Sequence, residues 1–577
     1  MRRYLAIFGA VLLVATACGQ APQGTTQATP AATAAAGEKP VAGGRIVEGA
    51  ISDIKTLQPV ISTDTSSSGA WGNFYTGLLR SNPDTGDLEP GLAEKFELSK
   101  DGLTVTYTLR QGLVWSDGQP FTGDDYKYTA EAVARSAKTV RKSTLQDIVG
   151  WKDYVDGKAD EVKGIQVKEN GRVIEIQLTK PFCPALRNLS SAGAGGILPK
   201  NHFVKVWNNK STDTKANIDD NPLNNAPPAS IGPFVFKEWK PGVQVTMTRN
   251  DKYYRGAPLL DEYIIKVYAD QVAVKAALLT GEISYGSVQP ADVEEVQTAG
   301  KEILNFHRFP GVSSYVFISW NAKATKAPWL ADKRVRQALT HGLDVTSIVK
   351  NVLLGYGVQV YAHTPKASWA YPDESKLTKY AFDQKKAKEL LEQAGAKMGP
   401  DGVYRWSDGT PMQMRIETNQ GNKVRETILQ IAQEQYKAIG LKIDPLLESF
   451  PALLDRSVPQ NLDHEGVILG WSLGLEPDMY SIWHSSQNGK DQFNWVHYSN
   501  PEVDKAIEAG RNGPDCTTPA RKAAYNTVNQ NLNADVPYTF LYTGDSLVFF
   551  NKAVRGIEPK VYSTASGWNI EKWWIKR

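Results

Sequence analysis

The feature that most limits the fold of this chain is a change of hydrophobic period that recurs along it. Residues 104–110 alternate apolar and polar, placing Val105, Tyr107 and Leu109 on one face as a half-buried strand requires. Ile174, Ile176 and Leu178 alternate likewise, as do Val243, Val245 and Met247. Elsewhere the period lengthens to that of a helix. Thr122 and Asp125 have capping-box spacing, with Tyr126, Ala130 and Val133 following at helical intervals. Asp383 precedes a stripe of Ala387, Leu390, Leu391 and Ala394 that ends at Gly395. Val424, Ile428, Ile431, Ala432 and Ile439 form another stripe, stopped by Gly440, and residues 441–443 follow at once as a strand. Strands and helices mixed in this way, without internal repeats, predict an α/β protein. The 577 residues provide for about three to four domains' worth of core. Residues 208–228, polar and rich in Pro and Asn, read as a long surface excursion.

The N-terminus reads as an address. Arg2 and Arg3 give a positive start, and the apolar run from Leu5 to Ala15 has signal-core length but cannot span a bilayer. Ala15, Thr16 and Ala17 then lead to Cys18, in an arrangement that resembles a bacterial lipoprotein processing site, although Ala15 stands where such sites usually carry Leu. The expectation is a signal peptide over 1–17 and lipidation at Cys18. Residues 19–43 are Ala, Thr, Gln, Gly and Pro with almost no large apolar side chain, so they form a disordered tether. No later apolar run is long enough for a membrane helix. The folded body is thus expected outside the cytoplasm, lipid-anchored to the outer face of the cell membrane.

Charge excludes one class of partner. Lys plus Arg is 65 and Asp plus Glu is 62, which gives no field for nucleic acid. No dense metal-ligand set is visible: His202, His307, His341, His363, His464, His484 and His497 are scattered. The Gly-rich stretch at Ser191–Gly196 runs into Ile197, Leu198 and Pro199 rather than a dinucleotide turn, so no cofactor is expected.

Several segments in order resemble one family, the extracytoplasmic solute-binding proteins of oligopeptide, dipeptide and nickel ABC importers. They are Leu88-Glu-Pro-Gly-Leu-Ala-Glu-Lys-Phe-Glu97 with Asp101-Gly102, then Trp115-Ser-Asp-Gly-Gln-Pro-Phe-Thr122, Ile231-Gly-Pro-Phe234, Arg249-Asn-Asp-Lys-Tyr-Tyr254 and Leu278-Leu-Thr-Gly-Glu-Ile283. Lys333-Arg-Val-Arg-Gln-Ala-Leu339, Gly470-Trp471, His497-Tyr-Ser-Asn-Pro501 and Asp535-Val-Pro537 continue the series. The resemblance implies a two-lobe periplasmic-binding-protein fold, class II-like, with an extra inserted domain and three domains in all. Domain I would hold 44–85, 200–305 and 545–577, domain II 86–199, and domain III 306–544. It also implies a monomer that takes a solute in an interlobe cleft and passes it to ABC permease and ATPase subunits. Each motif has a plain structural reading too: Asp117-Gly118 is a turn signal and Asp332 a helix cap.

The resemblance places ligand contacts at Trp471 and Ser472, with Tyr75, Thr76 and Tyr315 as further candidates, and Asn494, Trp495, Trp71, Trp483 and Tyr542 after them by position. Peptide-binding relatives carry an Asp three residues after the Trp, where this chain has Gly474; Glu476 or Asp478 would have to supply that charge for a peptide's ammonium group. An oligosaccharide is therefore the runner-up ligand, and a nickel complex the third. A secreted hydrolase, which would need a nucleophile elbow or paired catalytic carboxylates, is the alternative from another class; the pairs Asp124/Asp125 and Asp219/Asp220 are adjacent and point apart. Cys183 and Cys516 lie 333 positions apart and, on this domain map, in different moving lobes. They could pair in an oxidising compartment, but two separate buried thiols are expected.

Overall fold

The computed structural model describes residues 38–204, 218–457, 464–489, 492–562 and 567–577. The signal segment, Cys18 and most of the tether lie outside the described residues. The slack stretch expected to reach residue 43 is already docked at Glu38, which pairs with Arg555 Nε at 2.9 Å and with Lys576.

Three sheets organise the chain. A seven-stranded sheet runs in the order Leu304–Phe309, Ser546–Asn551, Tyr285–Ser287, Arg45–Ala50, Glu262–Val267, Gln244–Arg249, Phe234–Lys240. A four-stranded antiparallel sheet holds Ala93–Leu98, Thr104–Leu109, Val173–Gln177 and Ile165–Lys168. A six-stranded sheet runs Gly357–Gln359, Tyr538–Gly544, Ser314–Trp320, Gly466–Ser472, Gln413–Asn419, Lys442–Glu448. Its last two strands are parallel, joined by the helix Lys423–Ala438.

The local signals act as their chemistry demands. Thr122 and Asp125 complete a reciprocal capping box on the helix Gly123–Arg135. Asp332, Asp383 and Asn422 each accept a backbone N–H at a helix start. Gly440, with φ +84°, turns the chain from helix into strand. Of the surface excursion expected over 208–228, residues 208–217 lie outside the described residues, and the stretch 218–225 is partly packed: Asp219 accepts the Ala137 N–H at 2.7 Å, and Asn224 accepts Gln58 Nε2 at 2.8 Å, while Asp220, Pro222 and Asn225 stay exposed. Polar side chains there serve buried backbone and amide groups, which composition alone does not distinguish from solvated ones.

The cores divide the molecule into two lobes. One continuous core joins the seven- and four-stranded sheets, from Ile46 and Tyr263 to Tyr107 and Ile174. The six-stranded sheet is covered on both faces: Ile318, Ile416 and Ile468 point into one core, and Phe317, Val467 and Leu469 into another. The backbone passes between the lobes at residues 309–314 and 544–546. Asp545 ties the two crossings together, accepting Arg308 Nε at 2.5 Å and the Gly311 N–H at 3.3 Å. Gly311 permits this approach, since a Cβ there would stand 2.4 Å from the Gly544 carbonyl oxygen.

The expectation of two separate thiols is overturned. Cys183 and Cys516 form a disulfide with Cα atoms 5.1 Å apart. The end of the helix Pro501–Asn512 lies against residues 181–183, and the Cys183 N–H donates to the Arg511 carbonyl at 2.8 Å. Sequence separation says nothing about such a juxtaposition of lobes.

Candidate functional site

A cavity of about 790 Å³ lies between the lobes, toward the upper end of the roughly 300–1,000 Å³ span of small-ligand sites. Asp64, Arg141 and Arg187 wall it from the first lobe, Arg425, Trp471 and Glu476 from the second. Val312 and Ser313, from one crossing, border it as well. A relative motion of the lobes therefore changes the space directly.

Trp471 and Ser472 end the strand Gly466–Ser472. A Cβ at Gly470 would lie 3.1 Å from the Tyr315 carbonyl oxygen and 3.2 Å from Arg425 Nη2, so the missing side chain lets the guanidinium sit beside Trp471. Trp471 stacks on Trp495 with ring centroids 5.0 Å apart and planes 18° from parallel, while Phe493 stands edge-on at 5.2 Å. Trp471 Nε1 donates to the Tyr538 hydroxyl at 3.3 Å. These three rings make one aromatic wall of the cavity.

Besides Asp64 and Asp87, the charges on the wall fall into two groups. Both carboxylates considered as replacements for the absent Asp are occupied: Glu476 accepts from Arg521 Nη2, and Asp478 lies 3.4 Å from Arg511 Nη1. Burial raises the Glu476 carboxyl pKa and Arg521 opposes that rise. Three guanidiniums, in contrast, have no ion-pair partner among the described residues. Arg425 Nη1 donates to Asn419 Oδ1 at 2.8 Å. Arg187 donates to Ser81 Oγ at 2.8 Å and the Gly86 carbonyl at 2.7 Å, and Arg141 to the Pro59 and Ser62 carbonyls. Burial lowers the pKa of all three. Partly desolvated cations held by neutral acceptors favour an anionic group on whatever enters. His363, also on the wall, shares a 2.8 Å hydrogen bond between Nδ1 and the Tyr315 hydroxyl, and burial pushes its pKa down to about 3, so it adds no charge.

Of the residues expected at the site, Trp471, Ser472, Glu476 and Trp495 line the cavity. Tyr75, Thr76, Tyr315 and Asn494 do not. Tyr75 is 2% exposed and packs edge-on against Phe74 and Trp115. The Thr76 carbonyl accepts the Ile197 N–H. Tyr315 stands behind the wall, bonded to His363. The Asn494 side chain bridges the Tyr498 N–H and carbonyl, bracing the loop that carries Trp495. Trp71, Trp483 and Tyr542 are likewise core residues. The arginines, Asp64, Trp369 and Phe493 were not singled out by sequence. Arg425 sits on an amphipathic helix where an Arg ordinarily faces solvent, and no local pattern marks it.

Gly470, Ser472 and Gly474 do have Gly-x-Ser-x-Gly spacing. Ser472, however, closes an antiparallel strand opposite Ser314, and the next helix begins only at Tyr480, so the strand-to-helix elbow that exposes a nucleophile is not formed. Among the described residues no three His, Cys, Asp or Glu stand together as metal ligands.

Known proteins share this architecture. The family profile of bacterial extracellular solute-binding proteins, family 5, matches residues 87–493. The oligopeptide-binding protein AppA of Bacillus subtilis is 32% identical over 573 residues, covering 98% of both chains. Its solved structure in complex with a nonapeptide superposes with a TM-score of 0.83 at 31% identity, covering 93% of this chain and 100% of that one. NikZ from Campylobacter jejuni, in complex with Ni(L-His), gives 0.77 at 25% identity over 92% of this chain and 99% of its own. The chain thus belongs to family 5 of the bacterial extracellular solute-binding proteins of ABC transporters, a family of substrate binders rather than enzymes.

Proposed function

We propose that the interlobe cavity captures oligopeptides and that the closed protein hands them intact to an ABC permease. The observation that carries this reading is the pairing of an aromatic wall with Arg425, a half-buried cation with no ion-pair partner among the described residues. A peptide supplies the complementary groups: a terminal carboxylate for the guanidinium, and side chains and flat amide planes for the rings. The occupied state of Glu476 and Asp478 argues that the ligand's ammonium group is not gripped beside Trp471. The relatives AppA and OppA, described as oligopeptide-binding, agree with the reading. An oligosaccharide would use the rings but leave the arginines uncompensated.

Binding then works by population shift. A ligand that touches both lobes favours the closed form by its additional contacts there. Moving a closed:open ratio from 1:99 to 99:1 takes about 5.5 kcal/mol of differential affinity. Energy for transport comes from separate ATPase subunits, as the chain has no phosphate-binding loop motif. The division proposed for the domains is 44–85, 200–305 and 545–577 for domain I, 86–199 for domain II and 306–544 for domain III. Cleavage before Cys18 and lipidation there would anchor the body to the outer face of the membrane.

Trp fluorescence tests the function, since the wall rings change environment when the lobes close on a ligand. Random nonapeptides should shift the emission of the mature protein, and oligosaccharides should not. A response to oligosaccharides alone would replace the peptide reading.

A further inference from the structure

The lobes are joined by more than two backbone crossings. Cys183 precedes the short helix Ala185–Asn188 of the first lobe, and Cys516 follows the helix Pro501–Asn512 of the second. A polar seam surrounds their disulfide. Asn512 Nδ2 donates to the Pro181 carbonyl at 3.0 Å and to Asp147 Oδ2 at 3.3 Å. The Arg511 guanidinium donates to the Ser143 carbonyl and lies 4.9 Å from the Phe182 ring in the first lobe and 4.3 Å from the Tyr480 ring in the second. Arg511 also pairs with Asp478, so this seam borders the cavity on one side, while Val312 and Ser313 of a crossing border it on another.

We propose that the Cys183–Cys516 bond is an interlobe latch: while it is intact the cleft cannot open fully, and ligand exchange is slow until it is reduced. A disulfide tolerates Cα separations up to about 6.8 Å, so from the observed 5.1 Å only about 1.7 Å of slack remains (6.8 − 5.1). With a lever arm of about 25 Å, the radius of gyration of a compact chain of this length, that slack permits roughly 4° of rotation. For scale, the αβ dimers of haemoglobin rotate by about 15° in their allosteric transition. A rotation of that size about an axis remote from the bond is therefore incompatible with an intact bond, and the opening left to the oxidised protein is rotation about an axis through the bond itself. Cys516 is exposed and Cys183 half-buried, which leaves the bond open to exchange. Its formation removes two electrons and two protons from the two thiols; a disulfide of an extracytoplasmic thiol oxidase accepts them and leaves as a dithiol. A dithiol reductant reverses this through a mixed disulfide.

The test compares the mature protein oxidised, reduced with dithiothreitol, and as the variant C183S/C516S. Small-angle scattering without ligand should show the oxidised form more compact than the other two, which should agree with each other. A fluorescently labelled nonapeptide, loaded and then chased, should leave the oxidised form at least about tenfold more slowly. Identical scattering in all three states overturns the latch, as does the finding of two titratable thiols in the native oxidised protein. If the double variant does not fold, the reduced wild type carries the comparison. Scattering needs no ligand, so a failure of the peptide reading would leave the latch independently tested.

Discussion

Replacing Arg425 by Met should separate binding from stability. The guanidinium gains one charged hydrogen bond, to Asn419 at 2.8 Å, against the cost of its own desolvation. A charged hydrogen bond contributes about 1.5–3 kcal/mol, and an uncompensated buried charge costs several. Because the residue is only half-buried, the two nearly cancel, and unfolding stability should move by less than about 1 kcal/mol. With a peptide carboxylate on the other donors, the same truncation removes one half of a desolvated ion pair. That loss is about 2–3 kcal/mol at the low end of the measured range, or roughly 30–140-fold in Kd. The assay is titration calorimetry with one nonapeptide in two forms, carrying a free and an amidated C-terminus. Amidation should weaken binding to the wild type and have almost no further effect on Arg425→Met, the signature of a coupled pair in a double-mutant cycle. If amidation costs the same in both proteins, Arg425 does not read the carboxylate.

Trp471→Ala should cost about 2 kcal/mol in affinity by calorimetry, as an aromatic anchor does, and about 1 kcal/mol in stability from the lost Trp495 stacking; a stability loss without an affinity loss would make Trp471 purely structural. Gly311→Val should strain the crossing, because its Cβ would meet the Gly544 carbonyl at 2.4 Å; the expected result is an altered radius of gyration or a melting point lower by several degrees, and wild-type values for both would refute it. Glu417 is fully buried, with Arg456 Nε at 3.3 Å and Arg415 Nε at 3.9 Å, and Glu448 and Glu465 draw on the same two guanidiniums. Burial, partly offset by the arginines, raises its pKa to about 8. The folded chain therefore holds a proton that the unfolded one, with a pKa of about 4.3, has released, and stability falls as pH rises between those values. Glu417→Gln should flatten that fall in thermal melts, and parallel curves for the two proteins would count against the assignment. Cys18→Ser should move the protein from the membrane to the soluble fraction on fractionation; unchanged membrane association would exclude the lipid anchor.

The fold was legible wherever chemistry is local. Period-two runs at Val105–Leu109 and period-3.6 stripes such as Ala387, Leu390 and Leu391 are buried as their spacing requires. Caps at Thr122, Asp332 and Asp383 follow from one side chain and one turn. Of the cavity wall, a motif pointed to Trp471 and Ser472, and charge and position to Glu476 and Trp495. Tyr315 is aromatic and on the right strand, yet pleating turns it into a core, and a one-residue difference in direction is invisible without the sheet register; Tyr75, just after the helix Thr65–Trp71, is packed against Phe74 and Trp115. Arg141, Arg187 and Arg425 come from three separated segments, and only the docking of lobes brings them to one cavity. The disulfide escaped for the same reason, since its partners are adjacent only through the contact of two lobes.

Native mass spectrometry of the protein purified from its own host, followed by denaturation and fragmentation of whatever is released, addresses the central claim most directly. The account predicts intact peptides with free C-terminal carboxylates, in a one-to-one complex that Arg425→Met depletes. Release of an oligosaccharide or a nickel complex, or of a peptide cleaved during its stay, would contradict it.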